Sequence, residues 1–181
     1  PEVVEMPDVC KGEALLEFEK KYYPVLKAQR IKLDATYDKV TQLQAAIEPT
    51  DFEIQDEIEQ KPYAYFDYQY NDGYGVFPEQ IADVINNIPE GFRVAKIVKA
   101  FRGSGAFVFM TDKTREELNE VARQNIMKSR NEVIDTAKKE LANQLGTMKT
   151  LIGEYEGFKK SALQADIEQL TKISQKYAKA I

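Results

Sequence analysis

Residues 26–47 read LKAQRIKLDATYDKVTQLQAAI, and within them Leu26, Arg30, Leu33, Tyr37, Val40, Gln44 and Ile47 recur at alternating steps of four and three. Residues so spaced share one face of an α-helix, and a stripe this narrow is the seam of a coiled coil or bundle helix. Toward the N-terminus, Leu15, Phe18, Tyr22 and Val25 keep the rhythm in a shifted frame. A helical pattern therefore covers residues 13–48. Pro24 either opens a helix or kinks a longer one, and Pro49 stops the pattern, because the residue before a proline is pushed out of the α region. Residues 1–12, with Pro1, Pro7 and Gly12, read as an arm.

Beyond Thr114 no proline occurs. Thr114 and Glu117 have the spacing of a capping box. After them Leu118, Val121, Ala122, Ile126, Val133, Ala137, Leu141, Leu145, Met148 and Ile152 trace one helical stripe. Gly153-Glu154-Tyr155-Glu156-Gly157 is the expected reversal, with Gly146 as a second candidate, since glycine weakens helices and is favoured just past their ends. A last helix would then pack through Leu163, Ile167, Leu170, Ser174, Tyr177 and Ile181.

The middle differs. Residues 49–61 form an acidic connector, with Asp51, Glu53, Asp56, Glu57 and Glu59, in which Thr50 and Glu53 are spaced to cap a short helix. Residues 63–70, Tyr-Ala-Tyr-Phe-Asp-Tyr-Gln-Tyr, read as a strand that is aromatic on both faces, and Asn71-Asp72-Gly73 as a turn. Pro78 opens a helix carrying Ile81, Val84, Ile85 and Ile88 on one side. Residues 93–101 and 106–110 read as strands joined by a hairpin at Arg102-Gly103-Ser104-Gly105. The expected fold is α+β and predominantly α. Long antiparallel helices, a coiled coil or three-helix bundle of residues 13–48 and 113–181, would carry a β-α-β-β subdomain inserted at residues 62–112.

Composition narrows the function. The 181 residues are 43% hydrophobic and 30% charged, with net charge −5. Such a chain can bury a core, and its acidity argues against direct binding to nucleic acid or to an anionic membrane. No apolar run reaches the roughly 18–20 residues needed to span a bilayer. The first residues lack the regions of a signal peptide, although a leader removed earlier would leave no trace. The single cysteine, Cys10, rules out an intrachain disulfide and fits a reducing, cytoplasmic-like compartment, as it also fits a secreted chain without disulfides. Histidine is absent, which removes serine–histidine, cysteine–histidine and histidine–metal chemistry from these residues.

No catalytic, cofactor or metal constellation is expected. The glycine turn precedes a strand, whereas phosphate loops open a helix. Arg93, Lys96, Lys99 and Arg102 alternate faces on a regular strand, so their charges should not converge. Asp67, Asp72 and Asp83 lack the spacing of a calcium loop. The tyrosines Tyr63, Tyr65, Tyr68, Tyr70 and Tyr74 stand out, as core on one face and as an amphipathic partner surface or a cover for the bundle on the other.

Helix, α/β insert and long helices in this order resemble ribosome recycling factor, and Thr114-Arg115-Glu116-Glu117-Leu118 looks like the opening of that family's second helix. The resemblance is one of architecture and implies a translation factor. The family's Arg-rich face is missing at Arg130-Asn131-Glu132-Val133-Ile134-Asp135, and no functional residue is carried over. The leading expectation is a non-enzymatic interaction or assembly protein, a helical stalk with a tyrosine-rich recognition head. It would bind copies of itself through the seams, or a larger complex. The alternative is an acidic regulator or inhibitor of a nucleic-acid enzyme, of phage or mobile-element type, acting through Glu53, Asp56, Glu57 and Glu59.

Overall fold

The computed structural model describes residues 11–68, 76–100 and 105–179, so Cys10, Tyr70, Tyr74, the expected turn at residues 71–73, the expected strand end at Phe101, residues 102–104 of the expected hairpin turn and Ile181 lie outside the described residues. The protein is mostly helical with a small antiparallel sheet. Its elements are α1 (Glu13–Ala45), α2 (Asp51–Gln60), α3 (Pro62–Tyr65), β1 (Asp67–Tyr68), a 3-10 turn (Pro78–Gln80), α4 (Ile81–Asn86), β2 (Arg93–Lys99), β3 (Ala106–Thr111) and α5 (Arg115–Ala178). Two compact units result. One comprises Pro1–Gln42 with Ile134–Ile181, and the other Leu43–Val133.

In the first unit α1 and α5 run antiparallel, since contacts pair Leu15 with Asp166, Phe18 with Tyr155 and Thr36 with Gln144. Helix α1 continues through Pro24. Its inward positions are Leu15, Phe18, Tyr22, Leu26, Gln29, Leu33, Thr36 and Val40, all buried or half-buried. The expected heptad of Leu26, Leu33 and Val40 holds, but the positions between them do not. Arg30 and Tyr37 are exposed, Tyr37 by 60%, and Gln29 and Thr36 take their place one residue earlier. Thr36 can be buried because its hydroxyl lies 3.0 Å from the Lys32 carbonyl oxygen and 3.0 Å from Gln144 Oε1. A short polar side chain with partners fits where two helices approach, whereas a tyrosine there needs more room.

The same one-residue offset occurs on α5. Ile134, Ala137, Leu141, Met148, Leu151 and Tyr155 face inward, while Val133, Leu145 and Ile152 are exposed. The expected reversal at residues 153–157 is absent. Helix α5 passes through Gly146, Gly153 and Gly157, and nothing described lies within 4 Å of where their Cβ atoms would sit. A glycine costs a helix only about 1 kcal/mol relative to alanine, which the packing of Tyr155 offsets. The described residues therefore contain two long helices instead of three. Leu163, Ile167, Leu170 and Tyr177 do not pack back but lie 37%, 56%, 65% and 65% exposed.

The start of α1 is held by α5. Helix N-termini leave backbone N–H groups unpaired. Buried Asp166 accepts from Ala14 N and Leu15 N, each at 3.2 Å. That approach requires Gly12, because a Cβ there would sit 2.1–2.4 Å from the Asp166 carboxyl group.

In the second unit the acidic connector is a helix with both halves of a capping box. Glu53 N donates to Thr50 Oγ1 at 3.3 Å and Thr50 N donates to Glu53 Oε2 at 2.8 Å. Ile54 and Ile58 of α2 pack with Tyr65, Leu118 and Ala122. Burying a side chain such as Ile54 contributes roughly 1.5–3 kcal/mol, against at most about 1 for an exposed ion pair such as Arg123–Glu48. Apolar packing thus makes α2 part of the core. The expected strand at residues 63–70 is replaced at its start by α3, because Pro62 has the φ of a first helical turn and no N–H to lose there. Of its described residues, Asp67 and Tyr68 join the sheet, paired with Met110 and Phe109. Strand order is β1-β3-β2, all antiparallel, with central β3 almost wholly buried. Val84 packs on Val76, Val108 and Met110, while Ile85 faces outward.

Asp166→Ala should lower stability by about 1 kcal/mol, the usual cost of a lost N-terminal cap, read from urea unfolding followed by circular dichroism. Gly12→Ala should cost more, about 1–3 kcal/mol, because the added methyl is forced against a buried group. A Gly12→Ala protein as stable as the parent would show that α1 does not start on Asp166.

Candidate functional site

The second unit has a cavity of about 690 Å³ between α2, β2 and the first turns of α5. Ile58, Phe66 and Leu118 contribute apolar side chains to its lining, and Gln55, Asn119 and Glu59 contribute polar ones. Three cations, Arg93, Lys96 and Arg115, also line it. Its frame is fixed by hydrogen bonds between elements. Gln55 Nε2 donates to Asn119 Oδ1 at 2.8 Å, and Lys96 Nζ donates to the Glu59 carbonyl oxygen at 2.9 Å. At the start of α5, Thr114 N donates to Glu117 Oε2 at 2.7 Å and Glu117 N to Thr114 Oγ1 at 3.2 Å, the expected second capping box.

Arg93 and Lys96 reach one cavity because β2 is irregular. Its register against β3 shifts between Val94 and Lys96. A bulge adds one residue on one strand, bends it and re-aims the side chains that follow. The expectation that these two charges stay apart assumed unbroken alternation, and it fails at this pair. Arg93 Nη1 donates to the Lys113 carbonyl oxygen at 2.6 Å. Among the described residues, no carboxylate lies within ion-pair distance of Arg93, Lys96 or Arg115. Arg115 was legible only as part of a capping motif. The missed signal is a cation opening a helix, where the macrodipole favours acids.

The residues singled out in the sequence are dispersed. Tyr65 is buried, its hydroxyl donating to Glu57 Oε1 at 3.1 Å and accepting from Asn125 Nδ2 at 3.2 Å; burial pushes its phenol pKa up. Tyr63 is 41% exposed and meets Phe109 edge-on at 5.0 Å. Tyr68 contributes its backbone to the sheet. Of the acidic set, Glu53 bonds Thr50 and Arg130, Glu57 bonds Lys61 and Tyr65, Asp56 accepts from Gln60, and the Glu59 carbonyl accepts from Lys96. Arg130 also donates to the Ala46 carbonyl oxygen at 2.8 Å, closing the end of α1. The bonds from the Thr50 backbone and hydroxyl, and then from Arg130, hold the Glu53 carboxyl below its ordinary pKa.

A second feature lies in the first unit. Phe18, Tyr22, Tyr23, Tyr155 and Phe158 form an aromatic cluster, with Tyr22 and Tyr155 centroids 4.5 Å apart and Tyr22 stacked on Phe158 at 5.4 Å. Beyond it the inward face of α5 runs on from Asp166 as Leu170, Ile173 and Tyr177, which are 65%, 43% and 65% exposed. Among the described residues, no cluster of acids or cysteine could hold a metal, and no helix is long and apolar enough to cross a membrane. Compared with known proteins, the chain matches no family model, no curated protein and no solved structure.

A group whose pKa is lowered on folding adds stability above its unfolded value, and that stability is lost as pH falls through the folded value. The stability difference between the parent and Glu53→Gln should therefore be largest near neutrality and close as pH drops below about 4.3, the ordinary glutamate value. Denaturant midpoints measured across this range check the sign. A gap that widens in acid would contradict it.

Proposed function

We propose that the chain is a non-enzymatic interaction or assembly protein that self-associates through the apolar stripe on the last turns of α5, by coiled-coil pairing. The observation that supports this is the continuation of the α1-facing side of α5 past Asp166 as Leu170, Ile173 and Tyr177, with Leu163 and Ile167 beside it, all exposed in a chain that is 30% charged. Contiguous exposed apolar surface of this kind marks association sites on proteins that otherwise solvate their faces. An a/d-type stripe needs a second helix to be buried.

Light scattering of the full chain at micromolar concentration should give a dimer, and Leu170→Lys with Ile173→Lys should give a monomer of unchanged helicity. A parent that stays monomeric as concentration rises, or a doubly substituted chain that still dimerises, would overturn the proposal.

A further inference from the structure

The cavity between α2, β2 and α5 combines two properties that the self-association reading leaves unused. Its volume, about 690 Å³, falls in the range of small-molecule sites, roughly 300–1,000 Å³. Its lining is electrostatically one-sided, with Arg93, Lys96 and Arg115 against the single carboxylate of Glu59 in a chain whose net charge is −5.

The fold uses only part of what these cations offer. Lys96 and Arg93 each satisfy one main-chain carbonyl oxygen, of Glu59 and of Lys113. An ammonium has three donors and a guanidinium five, so both have more to offer. Arg115 makes no hydrogen bond or ion pair among the described residues and sits in the first turn of a helix, where a cation opposes the macrodipole. Like charges lining one cavity repel, and an anion placed between them relieves that repulsion. The same cavity is also lined by Ile58, Phe66 and Leu118, whose side chains present carbon.

We infer that this cavity binds a small amphiphilic anion, a phosphate or carboxylate carried on a flat apolar or aromatic body. The anionic group lies among Arg115, Arg93 and Lys96, where guanidinium geometry permits bidentate contact. The body lies against Phe66 and Leu118, and the amides of Gln55 and Asn119 at the rim offer orienting hydrogen bonds. The bulge between Val94 and Lys96 is the structural device of the site, because it brings two charges of one strand to one ligand.

Calorimetric titration of the full chain with 1-naphthyl phosphate at low salt tests this. One saturable site is expected, weakened by added salt as a charge-dominated contact must be. Arg115→Gln removes a charge-assisted contact and should weaken binding about tenfold, with an unchanged circular dichroism spectrum. Lys96→Gln should do the same, but its bond to Glu59 makes Arg115→Gln the deciding variant. Neutral 1-naphthol and inorganic phosphate should each bind far more weakly than the ester. The inference is overturned if the ester does not saturate, if Arg115→Gln binds it as the parent does, or if either half-ligand alone binds as tightly. The double variant Leu170→Lys/Ile173→Lys should keep the site intact, so failure of self-association and failure of this binding are read separately.

Discussion

Two amphipathic helices with narrow apolar stripes have many ways to lie side by side, differing by a slide of one turn. In the first unit the slide is fixed by polar groups. The Asp166 carboxylate closes the open N–H groups at the start of α1, over a glycine that alone permits the approach. Farther along, Thr36 and Gln144 meet at 3.0 Å. A shift of α1 by one turn would leave Asp166 buried without donors and Thr36 facing carbon, each costing more than a hydrophobic mismatch. Once this register is set, the aromatic cluster of Phe18, Tyr22 and Tyr155 follows, and so does the point where α1 ceases to cover α5.

The second unit is organised the other way, by apolar burial with polar groups at its edges. Ile54, Ile58, Leu118 and Ala122 bring α2 against α5, while Arg130 binds the Ala46 and Ile47 carbonyl oxygens together with Glu53. The acids that look like a recognition surface in the sequence are largely occupied in this way, as caps and as partners of nearby donors. Three cations of this unit, Arg93, Lys96 and Arg115, line the cavity, and no carboxylate among the described residues lies within ion-pair distance of them.

Much of the helical reading was legible. The heptad Leu26, Leu33, Val40, both capping boxes, the strands β2 and β3 and the inward faces of Val84 and Ile81 all follow from periodicity and capping chemistry. The misplaced positions Tyr37 and Leu145 share a cause. A period of 3.6 allows either an i+3 or an i+4 partner, and choosing the larger or more apolar residue selected Tyr37 over Thr36 and Leu145 over Gln144. The structure buries the smaller or amide-bearing member, because its polar atoms find partners across the helix pair. The tyrosine run was misread at its beginning because Pro62 starts a helical turn, which aims Tyr65 into the core and leaves Tyr63 half outside.

The sequence by itself determined that the chain is mostly helical, that it lacks histidine chemistry, and where its helices are capped. These are local facts, set by backbone preferences and side chains within one or two turns. Only the tertiary structure decided that residues 153–157 continue a helix, that Leu170 and Tyr177 stand uncovered, and that Arg93, Lys96 and Arg115 share one cavity. Each depends on what lies opposite. A glycine breaks a helix only if packing does not hold it, a stripe is a seam only as far as its partner reaches, and two charges on a strand converge only where a bulge shifts the register.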